Sequence, residues 1–467
     1  MGSVDGEDRW CGELSTQWTG KKCGRSPRRR YNPAMTMSSG SRFRGNAPAR
    51  QLLSVALLVV ALTTSPGATP GDLDPAFGSG GKYLSTAYGL SMFGPSVAVQ
   101  PNGSIVAAGK HFTGLDDDFA VLRLTPLGGL VSMSTAAFAS NKNEDAKSVV
   151  ALPDGRFLVG GEGNAGGYAQ HGVIRFMADG TVDDSFGRDG RASVDFGRLS
   201  HIHAMTLQAD GKLVVVGESY GGTNSARLAM ARLNTDGTLD TTFGTAGLVQ
   251  TSYGETTNTH AVVIAPDGSI TVGGYLVESI NGDASACFVA RYRSTGAADT
   301  SFGSNGVTIV AVGSGHENYC HSLARQDDGM IVLAGSIVRN RIGDFMMMRF
   351  TTSGGLDPAF DGDGIVSTTF PGRAPISSAA NAVLLLPDGK LVLGGHADGQ
   401  FALARYSSSG ALDPAFGTGG LMSFAFGRGV DDQIKSLALQ PDGKIVAAGF
   451  TRDGSHFNLA VARLLRD

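Results

Sequence analysis

A unit of nearly sixty residues recurs seven times between residue 73 and the C-terminus, and this repetition constrains the fold more than any other feature. Each unit contains a turn such as Pro-Asp-Gly and an arginine that follows an apolar run, and most also contain a phrase like Leu-Asp-Pro-Ala-Phe-Gly. The seven arginines are spaced by 52 to 59 residues. A fixed period of this length indicates one supersecondary structure stacked repeatedly.

Each unit has the pattern of four β-strands. In the last complete unit, apolar and β-branched residues 381–386 precede a Pro-Asp-Gly turn, and segments 390–395, 401–406 and 421–426 supply the other strands. Four antiparallel strands repeated seven times predict an all-β fold, a seven-bladed β-propeller with four-stranded antiparallel blades. An open β-solenoid or paired sandwiches are the alternatives.

The arginine of a unit and the aspartate of the following phrase keep one distance. They are eight residues apart, which places them on neighbouring strands of a hairpin and predicts cross-strand ion pairs. The predicted pairs are Arg175 with Asp183, Arg232 with Asp240, Arg291 with Asp299, Arg349 with Asp357, and Arg405 with Asp413.

The two ends of the repeat region lack such partners within their own segments. Arg463 has no aspartate eight residues later, and Asp74 has no arginine upstream within the repeats. We therefore expect Arg463 to pair with Asp74, and a strand near 81–86 to complete the last blade and cover its open edge. The unit of Arg123 departs from the pattern, since Val131 stands where the aspartate would be.

The first 68 residues differ from the repeats. The apolar run 52–62 follows Arg42, Arg44 and Arg50 and precedes small residues, which is the order of a secretory signal peptide. We assign residues 1–34 to a non-native or disordered extension, 35–68 to the signal peptide and 69–467 to the propeller. An uncleaved N-terminal anchor is the alternative. These segments predict a secreted, periplasmic or cell-surface protein with no membrane span in its mature form.

The charge and the cysteine content restrict the possible partners and the number of disulfides. Residues 1–68 carry ten Lys and Arg and four Asp and Glu, so the remainder has 28 basic and 38 acidic residues, a net charge of −10. Such a body repels phosphate backbones, and we expect no nucleic-acid partner. After residue 68 only Cys287 and Cys320 remain, either as one disulfide or as two buried thiols.

A candidate site lies eight residues before each turn glycine. If the strand before the turn is innermost, these positions lie near a mouth of the central channel. They are residue 95, which is proline, and Lys147, His203, His260, His321, Asn381 and Lys435. The three histidines would suit a divalent metal such as Zn²⁺ with one position open to water, and metal-assisted hydrolysis or elimination. The alternative is a solvated rim of variable residues, including Lys147, Asn381 and Lys435, that holds no cofactor and binds nothing in particular.

The segments "LDPAFG", "ALQPDGKIVAAGF" (438–450) and "LAVARL" (459–464) resemble the delta-60 repeat, a bacterial family predicted to form β-propellers. The strand order is similar to that of NHL-type propellers. The first resemblance implies the fold and export, and no activity. We therefore expect a monomeric, non-catalytic binding or scaffolding module for a protein, glycan or surface ligand. A metal-dependent hydrolase or lyase and a cell-surface structural protein are the alternatives.

Overall fold

The computed structural model describes residues 69–85, 96–112, 116–139, 142–163, 168–221, 225–277, 285–372, 376–427, 431–454 and 456–467. Within these ranges every regular element is a β-strand. The segments assigned to an extension and a signal peptide, 1–34 and 35–68, lie outside the described residues, so both assignments stay predictions. No helix in the described ranges combines the length and the apolar character that crossing a membrane requires.

The 28 strands form seven four-stranded antiparallel sheets, which we call blades 1 to 7. Blade 1 contains β2 (Ser96–Val99), β3 (Ile105–Phe112), β4 (Asp117–Leu124) and β5 (Leu130–Ala136); blade 2 contains β6 (Asp145–Ala151), β7 (Phe157–Gly163), β8 (Gln170–Phe176) and β9 (Arg191–Val194); blade 3 contains β10 (Ser200–Leu207), β11 (Leu213–Gly221), β12 (Ser225–Leu233) and β13 (Leu248–Thr251); blade 4 contains β14 (Thr256–Ile264), β15 (Ile270–Val277), β16 (Ser285–Tyr292) and β17 (Val307–Val310).

The remaining blades repeat this order. Blade 5 contains β18 (Glu317–Arg325), β19 (Ile331–Arg339), β20 (Ile342–Phe350) and β21 (Ile365–Thr368); blade 6 contains β22 (Ser378–Leu385), β23 (Leu391–Ala397), β24 (Gln400–Tyr406) and β25 (Leu421–Phe424); blade 7 contains β26 (Asp432–Leu439), β27 (Ile445–Asp453), β28 (His456–Leu464) and β1 (Lys82–Leu84). The bounds in blade 6 differ from the predicted ones by at most three residues.

The first strand of each blade lies innermost. Each innermost strand contacts the innermost strand of the next blade, and β26 contacts β2, so the seven blades close into a ring around a central channel. The prediction of a seven-bladed all-β propeller is confirmed.

The seventh blade joins the two ends of the chain. β1 pairs antiparallel with β28, with Lys82 opposite Ala462 and Leu84 opposite Ala460. The predicted strand 81–86 is therefore present as the shorter Lys82–Leu84, and it is the outer strand of the last blade. This pairing covers the edge of β28, which would otherwise expose unpaired backbone groups.

The Pro-Asp-Gly turns join the first and second strands of a blade. In blade 6, Asp388 Oδ1 accepts a hydrogen bond from the Lys390 amide at 3.2 Å. Gly389 has a φ of 82°, in the region that favours glycine. An aspartate that bonds to the backbone two residues later stabilises such a turn. The same bond recurs at Asp154, Asp210, Asp267 and Asp442.

The hydrophobic core lies between blades. Each of the seven interfaces has its own cluster of buried residues; the interface of blades 4 and 5, for example, includes Val289 and Leu333. A blade therefore buries its apolar faces only against its neighbours, and burial of apolar surface stabilises the complete ring. Cys287 of β16 and Cys320 of β18 form a disulfide across the same interface of blades 4 and 5.

The structure brings the arginine and aspartate of each predicted pair together. The shortest nitrogen–oxygen distances are 2.7 Å for Arg175–Asp183, 2.8 Å for Arg232–Asp240, 2.7 Å for Arg291–Asp299, 2.7 Å for Arg349–Asp357, 2.9 Å for Arg405–Asp413 and 2.6 Å for Arg463–Asp74. Each of these guanidiniums also lies 4.5 to 5.1 Å from the ring of the phenylalanine in the same phrase.

These arginines also connect neighbouring blades. Each one donates a hydrogen bond from Nη1 to a backbone carbonyl of the next blade, which lies in a turn or, for Arg405, in the segment after β28. Arg123 does the same although it has no aspartate of the phrase. The acceptors are Asp179 for Arg123, Thr235 for Arg175, Ser294 for Arg232, Thr352 for Arg291, Ser408 for Arg349, Arg466 for Arg405 and Pro126 for Arg463. The bond from blade 7 to blade 1 completes the circle.

Candidate functional site

A β-bulge in the innermost strand positions each candidate rim residue. In six blades the pairing register shifts by one residue in the first strand, and the extra residue is the rim residue. The six are Lys147, His203, His260, His321, Asn381 and Lys435. Residue 95 of blade 1 lies outside the described residues. Since a bulge re-aims a side chain, we take these residues to face the channel. They are the third to fifth residues of strands with seven to nine residues, so they lie part-way along the channel rather than at its edge, which the sequence had suggested. We call this part of the channel the bulge mouth.

The bulge needs a glycine on the neighbouring strand. A Cβ on Gly274 would lie 1.9 Å from the carbonyl oxygen of Asn258, two residues before the bulge at His260. The backbones therefore approach more closely than any side chain allows. The equivalent glycines, fourteen residues after each rim residue, are Gly161, Gly217, Gly335, Gly395 and Gly449. This glycine spacing is a signal that could have revealed the bulges in the sequence.

The three rim histidines contact one another. The ring centroid of His260 lies 4.6 Å from that of His203 and 5.0 Å from that of His321. On its other side, His260 stacks on Tyr275 at 5.4 Å with nearly parallel planes. The centre of the site is thus a cluster of imidazole and phenol rings from blades 3, 4 and 5.

The three histidines are neutral at neutral pH. Burial lowers the pKa of His260 to about 4, and the nearby Lys147 and Lys435 lower it further in the same direction. Burial and neighbouring cations likewise hold the pKa values of His203 and His321 well below the ordinary value. Neutral imidazoles can bind a metal, but in the described part of the chain no group of three or more His, Cys, Asp or Glu side chains is arranged to hold one.

Carboxylates surround the histidines on the side of blades 2 and 3. His201 Nδ1 lies 3.1 Å from Glu162 Oε2, and His203 Nε2 lies 3.5 Å from Glu218 Oε1. Tyr220 donates its hydroxyl hydrogen to Glu218 Oε2 at 3.0 Å. Burial raises the pKa of Glu218 to about 7, so this carboxyl group exchanges a proton near neutral pH. Sequence reasoning missed Glu162 and Glu218, which follow the bulge glycines directly.

The other rim residues have different surroundings. Lys147 Nζ lies 2.6 Å from Asp145 Oδ2 and is neutralised by it. Asn381 donates from Nδ2 to the carbonyl of Ile434 at 2.7 Å, so this amide connects blades 6 and 7. Lys435 forms neither an ion pair nor a hydrogen bond within the described residues; its Nζ lies 5.6 Å from the centre of the Phe450 ring.

The opposite end of the channel is chemically different. It is lined by the ends of innermost strands and by turn prolines, among them Val99, Leu207, Leu439, Pro153 and Pro441, around a cavity of about 560 Å³. The lining also includes Gln100, Gln440 and Arg466, so this end has hydrogen-bonding groups too. Within the described residues, the bulge mouth is where imidazole, phenol and carboxyl groups lie together, and we therefore take it as the candidate site.

Six segments of the chain match the model of a family described as "Domain of unknown function (DUF5122) beta-propeller". The matched residues are 152–186, 208–243, 265–302, 326–360, 386–416 and 440–467. Five of these segments run from a turn between the first two strands to the phenylalanine of the phrase. The match is compatible with the resemblance to delta-60 repeats. None of the curated proteins matches this chain.

Several solved structures match this chain at low identity. One is described as polysaccharide lyase Uly1, with 11% identity, 84% of this chain and 93% of that chain covered, and a TM-score of 0.49. A protein of unknown function from Dyadobacter fermentans has 11% identity, coverages of 85% and 97%, and a TM-score of 0.42. Sqt1 from Chaetomium thermophilum has 14% identity, coverages of 79% and 84%, and a TM-score of 0.41.

Proposed function

We propose that this chain, whose units match a β-propeller family of unknown function, is an exported binding module that recognises a polar ligand at the bulge mouth. The observation that carries the proposal is that imidazoles placed by the bulges lie together with phenol and carboxyl groups of the neighbouring strands, from blades 3, 4 and 5. A recessed site with a few convergent polar groups is typical of small-ligand recognition.

A glycan fits this chemistry better than a flat protein surface. Tyr275 and Tyr319 have ring centroids 5.0 Å apart, and Tyr319 donates its hydroxyl hydrogen to Glu317 at 2.8 Å. Hydroxyl and imidazole groups donate and accept hydrogen bonds, and carboxylates accept them, so together they match the hydroxyl groups of a sugar. Protein interfaces instead depend on buried apolar and aromatic anchors surrounded by a polar rim.

Two variants on one strand test the location of the site. His321 and Arg325 both lie on β18, His321 at the bulge and Arg325 at the end near the turn. We expect a glycan array probed with the intact propeller to give a set of bound glycans that His321→Ala loses and Arg325→Ala keeps. Equal binding by both variants, or loss in both, would contradict binding at the bulge mouth. An array without any bound glycan would reject a glycan as the ligand.

Export is the second part of the proposal. It is supported by the signal-like run 52–62 and by the disulfide between Cys287 and Cys320, since disulfides persist in oxidising compartments. Fractionation of cells that express the full chain tests it. We expect the protein outside the cytoplasm, with Cys287 and Cys320 oxidised. Retention in the cell envelope after washing would favour the structural cell-surface protein, and a reduced cytoplasmic protein would contradict export.

A metal-dependent hydrolase or lyase is the second candidate function. It is favoured by the contact of three neutral imidazoles, His203, His260 and His321, and it is disfavoured because these rings contact one another rather than surround a common point. Metal analysis of the purified propeller separates the two candidates. A stoichiometric divalent metal that His203→Ala removes would support the enzyme, whereas a metal-free protein that binds its ligand would support the binding module.

A further inference from the structure

Every described rim side chain of the bulge mouth ends in a group that contains nitrogen. These are two ammonium groups, three imidazoles and one amide, and none is a carboxylate. The nearby carboxylates of Asp145 and Glu218 are not rim residues themselves, but they contact the rim residues Lys147 and His203. Asp145 contacts Lys147, and Glu218 accepts from Tyr220. The rim therefore offers donors without acidic acceptors of its own.

Lys435 is the one rim cation among the described residues that lacks a counter-ion. Lys147 is neutralised by Asp145 at 2.6 Å, and the nearby Lys110 by Asp117 at 2.9 Å. Lys435 is only half-buried because it lines the channel, yet protein surrounds it on most sides. A charged group in such surroundings is normally paired, since its removal from bulk water is costly.

The groups around Lys435 also favour an anion beside its ammonium group. Its charge lowers the pKa values of His260, His321 and His396, so these rings lie within electrostatic reach of its ammonium group. Burial lowers the pKa of Lys435 to about 8; among the described residues Asp431 is the acidic group that acts against this, and no ion pair joins the two. An anion at this point would receive one full charge and hydrogen bonds from neutral imidazoles.

We infer that Lys435 binds the carboxylate of an acidic sugar, so that the glycan of the proposed function carries a uronic acid at the bulge mouth. This inference rests on the proposed function. One uncompensated ammonium matches a monoanion, whereas a phosphate dianion would remain half-compensated. The sugar ring then lies toward Tyr275, Tyr319 and Glu218, whose hydroxyl and carboxyl groups suit its hydroxyls.

The test compares D-glucuronate with D-glucose, which differ at one carbon. We expect calorimetric titration to show that the propeller binds glucuronate at least about tenfold more tightly than glucose, the value of one charge-assisted contact. Lys435→Met should abolish this preference. Lys142→Met should keep it, because Lys142 is an exposed lysine outside the channel.

A second measurement separates ligand binding from a structural role. If Lys435 serves the ligand, Lys435→Met removes an unpaired charge and should unfold at the same or a higher urea concentration than wild type. A clear loss of stability would indicate that Lys435 instead supports blade 7 through Phe450, and would overturn the inference.

Three other results would also overturn it. Equal binding of glucuronate and glucose would reject the carboxylate contact while the binding module stands. Binding of neither sugar, with neutral glycans bound on the array, would do the same. Binding of N-acetylglycine instead of glucuronate, lost in Lys435→Met, would show that the carboxylate comes from a peptide end and not from a sugar.

Discussion

Replacing Arg463 with alanine should weaken the ring more than the same change at an equivalent arginine. The side chains of Arg463 and Asp74 are 1% and 5% exposed, so this pair is almost fully shielded from water. Arg463 also donates to the carbonyl of Pro126 at 2.5 Å and to Gln440 Oε1 at 3.1 Å. One side chain thus connects the N-terminal segment, the last blade and the first blade.

The magnitude follows from what the variant leaves behind. Removing one partner of a buried ion pair costs about 3–5 kcal/mol, because the other charge stays buried. Lys444 Nζ remains 3.0 Å from Asp74 Oδ2, and Gln440 Nε2 still donates to the Pro126 carbonyl at 3.2 Å. These remaining partners place the loss near the low end, at about 3 kcal/mol of unfolding free energy.

Arg291→Ala is the matched control. Its Nε lies 2.7 Å from Asp299 Oδ2, a distance close to that of the Arg463 pair, but the side chains are 21% and 16% exposed. Solvent screening reduces the contribution of such a pair to the free energy of unfolding to about 1 kcal/mol. Urea unfolding, followed by fluorescence and circular dichroism so that coincident transitions can be verified, gives both losses. Equal losses for the two variants would refute the argument that closure of the ring depends on a shielded pair.

Two further predictions concern acid and the bulges. Burial tends to raise the pKa of Asp183, but hydrogen bonds from Ser185 and Arg156 lower it overall, and a bond from Lys212 lowers that of Asp240. A carboxyl group whose pKa is lowered by folding stabilises the protein above its unfolded pKa, and this contribution is lost as pH falls through the folded pKa. The urea midpoint of unfolding should therefore drop below about pH 4. It should drop less steeply in Asp240→Asn, which lacks one of these groups. Gly274→Ala should lower thermal stability or expression, whereas Gly254→Ala, with 3.7 Å of clearance, should behave as wild type.

The architecture was predictable because its signals are local and repeated. A hairpin brings residues eight apart together wherever it forms, so the spacing of Arg405 and Asp413 is informative without any knowledge of the rest of the chain. The unpaired ends, Arg463 and Asp74, then required a closed ring. The unit of Arg123 could not be interpreted in this way. A five-residue loop after β4 replaces the phrase there, and the outer strand β5 has seven residues instead of four.

The site was only partly predictable, since its properties depend on distances across the channel. Counting back from the turns identified His203, His260 and His321 as neighbours on the rim, but the contacts between their rings depend on the diameter of the channel and on the bulges. Lys147 has its counter-ion Asp145 two residues earlier in the sequence, whereas Gln433 is at that position before Lys435, but the sequence does not show that no other carboxylate reaches Lys435. Likewise, sequence spacing left the oxidation state of Cys287 and Cys320 open, because they lie in different blades.

The pairing of β1 with β28 in blade 7 determines when this blade can form during synthesis of the chain. A ribosome makes β1 first and β28 last, while blades 1 to 6 are each assembled from consecutive strands that can pair as they emerge. Segment 69–85 therefore has no partner strand until β28, the last strand of the chain, has been synthesised. Contacts of such long sequence separation slow folding. A circular permutant that begins and ends between two blades would remove this delay, because every sheet would then consist of neighbouring strands.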